Sequence, residues 1–377
     1  MATLTGRGAG KIEFGVASAV DDADVRELLR GNPMPGEISV TLEREPDAGA
    51  AGAVAGDVHH TIVARDACTR RLVGMGSRTV YRGFVNGAPC RIGYLSQLRV
   101  ARAYRGRIRL LKEGYRLLRS LRQGAELPFD VTTIVEDNHA AHRVLNAGLT
   151  GLPVYRAVEP FTTSIVPLWR RLPEGPAKVA IGRGGPERVG DIAACLQRNG
   201  ARFQFAPAWT VEDLRSPVRA RGLSPQDFFV AVERGRVTGC LALWDQTSFK
   251  QIVVRGYGSS MRRWRPWMDL CSRVFGTPRL PAPGSPIAHV FVSHVAVDDD
   301  RADVFRALFA AACNEARARR QTCLIAGFAA RHPFVHVLRR LTRAWTYASV
   351  IHTVQWDDRQ EAPALDGRIP HLEVALL

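Results

Sequence analysis

The chain has 377 residues, more than one hydrophobic core usually organises, so two domains of ordinary size are expected. With 46% hydrophobic and 23% charged residues the composition is globular. No apolar run approaches the roughly 20 residues that a membrane-spanning helix needs. The formal net charge is +16, and only four of the 52 basic residues are lysine. Arginine preference cannot create net charge, so the excess over the acids is a physical feature that favours polyanionic partners.

The first residues, 1–11, are small, polar and glycine-rich with no apolar core, which argues against a secretory leader. Seven cysteines are scattered without a C-x-x-C pair, which argues against a zinc site and against a disulfide framework. A soluble protein of a reducing cytoplasm is the expectation. Residues 12–18 read as a strand, 21–30 as a helix capped by Asp21 or Asp22, and 33–57 as a loop ending in a low-complexity Ala/Gly stretch. Alternating runs at 58–65, 71–81 and 91–100 predict a meander, the last strand following Asn86-Gly87. A helix over 107–122 separates apolar from charged positions on a 3.6-residue wheel. A buried strand at 131–135, a short helix at 138–146 and a strand at 154–158 complete this unit.

A proline-rich stretch then reads as a linker, and the same order of elements returns. The second series is a strand at 178–182, a helix at 186–198, and a hairpin of 228–233 with 237–245. After it come strand 289–297, a helix capped by Asp298 to Asp300, strand 322–328, a helix after Pro333 and strand 347–355. The clearest sign of repetition is Ser96-Gln97-Leu98-Arg99-Val100 against Ser293-His294-Val295-Ala296-Val297, each just before a helix. The expected organisation is a first domain over 11–166, a linker over 167–177, and a second domain over 178–377 with an insert at 251–286. The fold class expected is α/β, with a mixed sheet in each of two tandem copies.

Leu98-Arg99-Val100 followed by Tyr104-Arg105-Gly106-Arg107 resembles the strand and pyrophosphate loop of the GNAT superfamily of N-acyltransferases, and Asn138 with Ala141 resembles the start of its next helix. The resemblance covers about 11–166 by motif and the rest by element order. It implies an acyl-CoA donor, acetyl-CoA being the expected one, and no metal. A bulged strand end offers backbone groups to the pantetheine arm, and a helix N-terminus directs N–H donors at the pyrophosphate. On this basis Leu98, Arg99, Val100, Arg105, Gly106, Arg107, Ile108, Arg109 and Asn138 are the expected coenzyme contacts. The other reading of the arginines is a solvated basic helix face.

Several positions depart from the family pattern. Its two small loop residues fall on Ile108 and Leu110, where side chains would crowd a phosphate. The equivalent stretch of the second copy, 298–304, has three acids and no glycine, which predicts a structural or substrate-shaping copy. The acid that many relatives carry before the strand motif is here Gln97, which cannot take a proton, and the helix position of their tyrosine is Leu145. Substitute candidates for general base and acid are Glu136 and His139 at a strand end, Tyr94 on the central strand and Tyr155 near the last. Their alternative roles are loop or cap residues and half-buried packing.

Other signals are weaker. The glycines of 6–10 before Lys11 lack P-loop spacing, Gly182, Gly184 and Gly185 read as a turn, and the histidines, His59-His60 included, show no metal-ligand spacing. Arg262 to Trp267 combines cations with aromatic faces, the pairing used to hold single-stranded nucleic acid, or else forms a loop covering the domain interface. The function expected is acyl transfer from acyl-CoA to an amine acceptor, a small molecule or a peptide, at a site in the first copy. The competing expectation is an inactive GNAT-fold protein that recognises a polyanion such as nucleic acid.

Overall fold

The computed structural model describes residues 11–124, 126–173, 179–265, 267, 280–356 and 362–377. Strands β1 (Ile12–Val16), β3 (Val58–Asp66), β4 (Leu72–Val85), β5 (Ala88–Val100) and β6 (Phe129–Val135) build one side of a twelve-stranded sheet. Strands β8 (Ala180–Arg183), β9 (Phe228–Glu233), β10 (Arg236–Trp244), β12 (His289–Val297) and β13 (Cys323–Ala329) build the other. Between them lie β7 (Val154–Pro167) and β14 (Trp345–Gln355), in the order β6-β14-β7-β13.

That order is a reciprocal exchange. β7 leaves the first series to pair antiparallel with β13, from Phe161↔Ala329 to Pro167↔Cys323. β14 leaves the second to pair antiparallel with β6, from Ser349↔Val135 to Gln355↔Phe129. The two exchanged strands pair with each other along their length. Each half thus completes its partner's sheet, and no strand edge is exposed where the halves meet.

Helices α3 (Ile108–Ser120), α4 (His139–Leu145), α7 (Ala302–Ala318) and α8 (Phe334–Leu341) cover one face. There Tyr115 and Leu118 pack on Leu95, Ile134 and Val354, while Phe305, Leu308 and Phe309 pack on Leu324 and Phe328. Val304, Phe305, Leu308, Phe309, Ala312 and Cys313 form the buried face of α7. Helices α1 (Asp22–Arg30), α2 (Ala48–Ala55), α5 (Val189–Gly200) and α6 (Val211–Arg215) lie on the opposite face, where the largest core gathers Tyr81, Ile92, Phe161, Phe205, Trp244 and Ile351.

The structure corrects several sequence expectations. Residues 33–57 are not a loop: they hold β2 (Ile38–Glu43) and α2. α2 has no amphipathic pattern because its small residues serve close packing. A Cβ on Gly52 would meet the His59 ring at 2.2 Å, and one on Gly56 would meet the Val80 carbonyl oxygen at 2.3 Å. Its capping is partly long-range, since Asp47 accepts from Gly49 N and Asp22 from Ala48 N, both at 2.8 Å. β2 pairs with β11 (Gln251–Tyr257), so the start of the insert is half of a two-stranded ribbon that joins the two series. Asp298 to Asp300 do not cap α7. They form a 3-10 turn, and Arg301 occupies the cap position. Pro167 ends β7, and the expected linker residues 174–177, with Lys178, lie outside the described residues, as do 266 and 268–279 of the insert and 1–10 of the glycine-rich start.

Candidate functional site

The repeated pentapeptide marks a repeated backbone irregularity. In β5 the register against β4 jumps from Met75↔Arg99 to Ser77↔Ser96, so Gln97 and Leu98 oppose Gly76 alone. In β12 the register against β10 jumps from Cys240↔Ala296 to Ala242↔Ser293, so His294 and Val295 oppose Leu241. Gln97 and His294 adopt φ of 53° and 52°, left-handed values that are uncommon outside glycine. Two residues with no chemical likeness therefore take one strained conformation at equivalent places.

Next to the first bulge the sheet opens. β5 and β6 pair in parallel only at Gly93↔Asp130 and Tyr94↔Val131, although β6 stays paired to β14 as far as Val135. The base of this opening is braced by buried charge. Arg78 bonds Asp130 and Glu126 at 2.8 and 2.6 Å, and Trp356 donates to Asp130 at 3.0 Å. Gly93 is required there, because a Cβ would lie 2.0 Å from Asp130 Oδ1.

Beyond the bulge the chain turns into α3 through Gly106, at φ 81° with open space around it. Arg107 occupies the helix cap without a side-chain cap, so the Ile108 and Arg109 amides have no partner within α3, while Leu110 N donates to Arg107 O at 3.0 Å. Arg105 is tied back, donating to Val100 O at 3.2 Å and Asn32 Oδ1 at 3.1 Å, while the Arg107 guanidinium lies over the Tyr104 ring at 4.4 Å. Arg107 and Arg109 are exposed and Leu98 is 39% exposed. The side chains expected to crowd this loop turn away from it. Leu110 is buried beside Ala64 and Val73, and Ile108 packs in the cluster of Tyr115 and Leu118.

Four residues were expected to supply acid or base. Tyr94 sits at the base of the opening with its hydroxyl 2.8 Å from Thr133 Oγ1, and burial pushes its pKa up to about 12. Tyr155 lies on the α3 face, 2.5 Å from the Tyr115 hydroxyl, and burial raises its pKa well above the ordinary value. Glu136 and His139 are exposed where β6 runs into α4, and Asn138 caps α4 by accepting from Ala141 N at 3.1 Å.

No sequence pattern announced the pocket that the bulge faces. Ser96, Gln97, Thr79 and His59 form its sheet wall, α2 forms a small-residue side, and Arg44, Gln246, Lys250 and residues 375–377 close it. His59 is bonded to Thr79 at 2.7 Å and Thr61 at 3.1 Å, and burial, then His60 and Arg44, bring its pKa down to about 4, too weak a base for an ammonium. Lys250 donates to the carbonyl oxygen of Ala375 at 3.0 Å and to an oxygen of the last residue, Leu377, at 2.6 Å. Burial, reinforced by Arg44, holds its pKa well below the ordinary lysine value. Three segments far apart in sequence thus meet at Ser96 and Gln97, and only the pairing of long-range elements could have announced them.

The second strand opening is taken by residues 373–374: Glu373 Oε2 accepts from the amide of His294 at 2.7 Å, and a Cβ on Gly327 would strike Phe161 and Val374 at 2.6 and 2.8 Å. His294 and Val295 instead border a pocket lined by Asn199, Phe203, Trp209, His371 and Glu373. Two of the three acids before α7 are paired: Asp298 with Arg198 and Arg236, and Asp300 with Arg202. In the insert, residues 259–265 are helical with Arg262, Arg263 and Trp264 exposed, and Trp267 is exposed as well. Among the described residues no group of histidine, cysteine and acidic side chains has the arrangement of a metal site, and no helix is long and apolar enough to cross a membrane.

No protein-family profile matches the chain, and no curated protein matches it in sequence. Solved structures do match in shape. N-myristoyltransferase of Saccharomyces cerevisiae, with bound myristoyl-CoA, aligns at 14% identity over 94% of this chain and 81% of its own, with a TM-score of 0.59. The glucosamine N-acetyltransferase region of a fungal multi-domain beta-N-acetylglucosaminidase aligns at 16% identity over 92% of this chain, with a TM-score of 0.58, and this chain spans 38% of that protein's length. A GCN5-related N-acetyltransferase from Sphaerobacter thermophilus aligns at 14% identity over 78% of this chain and 79% of its own, with a TM-score of 0.51. At these identities the likeness is one of fold.

Proposed function

Taking as premise that this chain has the GNAT fold in its tandem, two-lobed form, we propose that it is an acyl-CoA-dependent N-acyltransferase whose working site lies in the half over 11–166. The observation that carries the proposal is the Ser96-Gln97-Leu98 bulge beside an open strand pair, with the uncapped N-terminus of α3 following it. An open strand edge can take the amide groups of a pantetheine arm, as a further strand would. The α3 amides with Arg107 and Arg109 suit a pyrophosphate. The bulge then brings the thioester to the mouth of the pocket lined by Ser96 and Gln97.

In the reaction proposed, the neutral acceptor amine attacks the thioester carbonyl, the C–N bond forms and the C–S bond breaks. The departing thiolate takes a proton and the new amide loses one. Tyr94, at the base of the opening and bonded to Thr133, is the proposed proton donor to the leaving sulfur, with Glu136 and His139 as proton carriers. Acetyl is the acyl group proposed, with a small-molecule or peptide amine as acceptor and the cytoplasm as location.

Calorimetric titration with acetyl-CoA and with free CoA tests this. One site of micromolar affinity is expected, weakened about tenfold by Arg107→Ala and unchanged by Asp299→Ala. Absence of binding to folded protein would sink the proposal. Equal loss from both substitutions would move the site out of the first half.

A further inference from the structure

The pocket against the Ser96-Gln97 bulge carries polar groups that the protein itself does not satisfy. Gln246 is 1% exposed and lines the pocket, and neither its Oε1 nor its Nε2 has a hydrogen-bond partner among the described residues. Arg44 is 5% exposed and lines the same pocket. One of its terminal nitrogens donates to Glu43 O at 3.2 Å, its Nε has no partner, and no ion pair joins it to an acidic side chain among the described residues. The neighbouring Glu43 carboxylate is taken by Arg255 and Thr41. No aspartate or glutamate side chain lines the pocket.

A buried carboxamide with both ends open and a buried guanidinium without an acidic partner are each costly to the folded state. A ligand that offers hydrogen-bond acceptors, a donor and negative charge would offset both. A carboxylate matches the planar fork of arginine, and a nearby amine or hydroxyl matches the carboxamide.

We infer that the acceptor bound in this pocket is a small amine that bears its own carboxylate, with Arg44 and Gln246 as the groups that recognise it. This rests on the acyltransferase proposal for its chemistry, though not for its binding. Arg44 and Gln246 come from opposite halves of the chain, so recognition belongs to the junction. The cofactor elements Arg107 and α3 belong to the first half alone. The cationic surroundings work the same way: Arg99 lies close enough to Arg44 to interact with it electrostatically, and a cationic amine without a carboxylate would be repelled.

The experiment uses three matched pairs: glycine and methylamine, 4-aminobutyrate and butylamine, and phenylalanine and phenethylamine. Each is titrated into the full chain by calorimetry without coenzyme, then assayed for CoA release with acetyl-CoA. In at least one pair the carboxylate-bearing member is expected to bind and react about tenfold or more better. That preference falls to about one in Arg44→Gln and by about fivefold in Gln246→Leu. Because leucine fills the same space and removes two unsatisfied atoms, Gln246→Leu is expected to hold or raise the melting temperature, so its loss of preference cannot be put down to unfolding. Equal or better binding of the plain amine in every pair overturns the inference, and so does failure of every carboxylated member to bind. Acetyl-CoA titration of the same samples separates the two claims. Carboxylate preference without coenzyme binding would leave the inference standing and remove the acyltransferase; coenzyme binding without preference would do the reverse.

Discussion

The two halves of the sheet share one backbone and differ in what fills it. Ser96-Gln97-Leu98 and Ser293-His294-Val295 make the same bulge with the same left-handed residue. Each bulge borders a pocket, but beside the second the strand opening itself is taken by Glu373 at the His294 amide and by Phe161 and Val374 against Gly327. Beneath the bulges the contrast continues. Arg78 and Asp130 stand on the first side where the registers put Leu243 and Leu324 on the second. A repeated fold therefore preserves the strand geometry, while side chains decide whether the opening beside it is free.

The largest expected effect breaks the brace of the open half. Asp130→Ala leaves Arg78 buried without its main partner and should cost about 3–5 kcal/mol in urea denaturation. Leu324→Ala, its counterpart, removes only packing, about 2–5 kcal/mol. The sharper contrast is in rescue: adding Arg78→Leu should recover stability in the first case by removing the stranded charge. No recovery would mean that the buried ions are not what braces the opening.

The plug of the closed half should reveal itself through pH. Burial holds Glu373 up at about pH 7 despite the amides of His294 and Ala375. Between the unfolded carboxylate value and about 7 the folded chain therefore keeps a proton that the unfolded chain has released. Its contribution is fully present below the unfolded value and is lost as pH rises through about 7. Buried His294, brought down to about 3, and His371, brought down to about 4, act oppositely, losing stability as pH falls below the ordinary histidine value. Glu373→Gln should therefore flatten the fall in melting temperature between about pH 5 and pH 8 while leaving the acid limb unchanged. An identical profile in both proteins would mean that Glu373 is ionised in the plug throughout.

The smallest effect concerns the helices beside the exchanged strands. Asn138 caps α4 with its side chain, whereas Pro333 at the start of α8 makes no side-chain cap. Asn138→Ala should cost about 1 kcal/mol in thermal denaturation. If it also lowered acetyl-CoA affinity about tenfold, the side chain would have to serve the coenzyme as well as the helix.

Local signals carried much of this. Amphipathic α3 and α7, the meander and the likeness of Ser96–Val100 to Ser293–Val297 all rest on interactions within a few residues, so periodicity could find them. Helix α2 escaped because its small residues answer to His59 and Val80 on the sheet and its cap comes partly from Asp22. The ribbon of β2 with β11 escaped because its strands are about 200 residues apart, and sequence alternation does not say which strands pair.

What the sequence determined by itself is the repeat, the mixed α/β order and the arginines leading into α3, because each depends on neighbours in the chain. What only the tertiary structure decided is the exchange of β7 and β14, the fate of the two openings, and the pocket where Arg44, Ser96, Gln246 and Lys250 meet. Those depend on which distant segments the core brings together, and on whether a buried polar group finds a partner, neither of which is written in any local pattern.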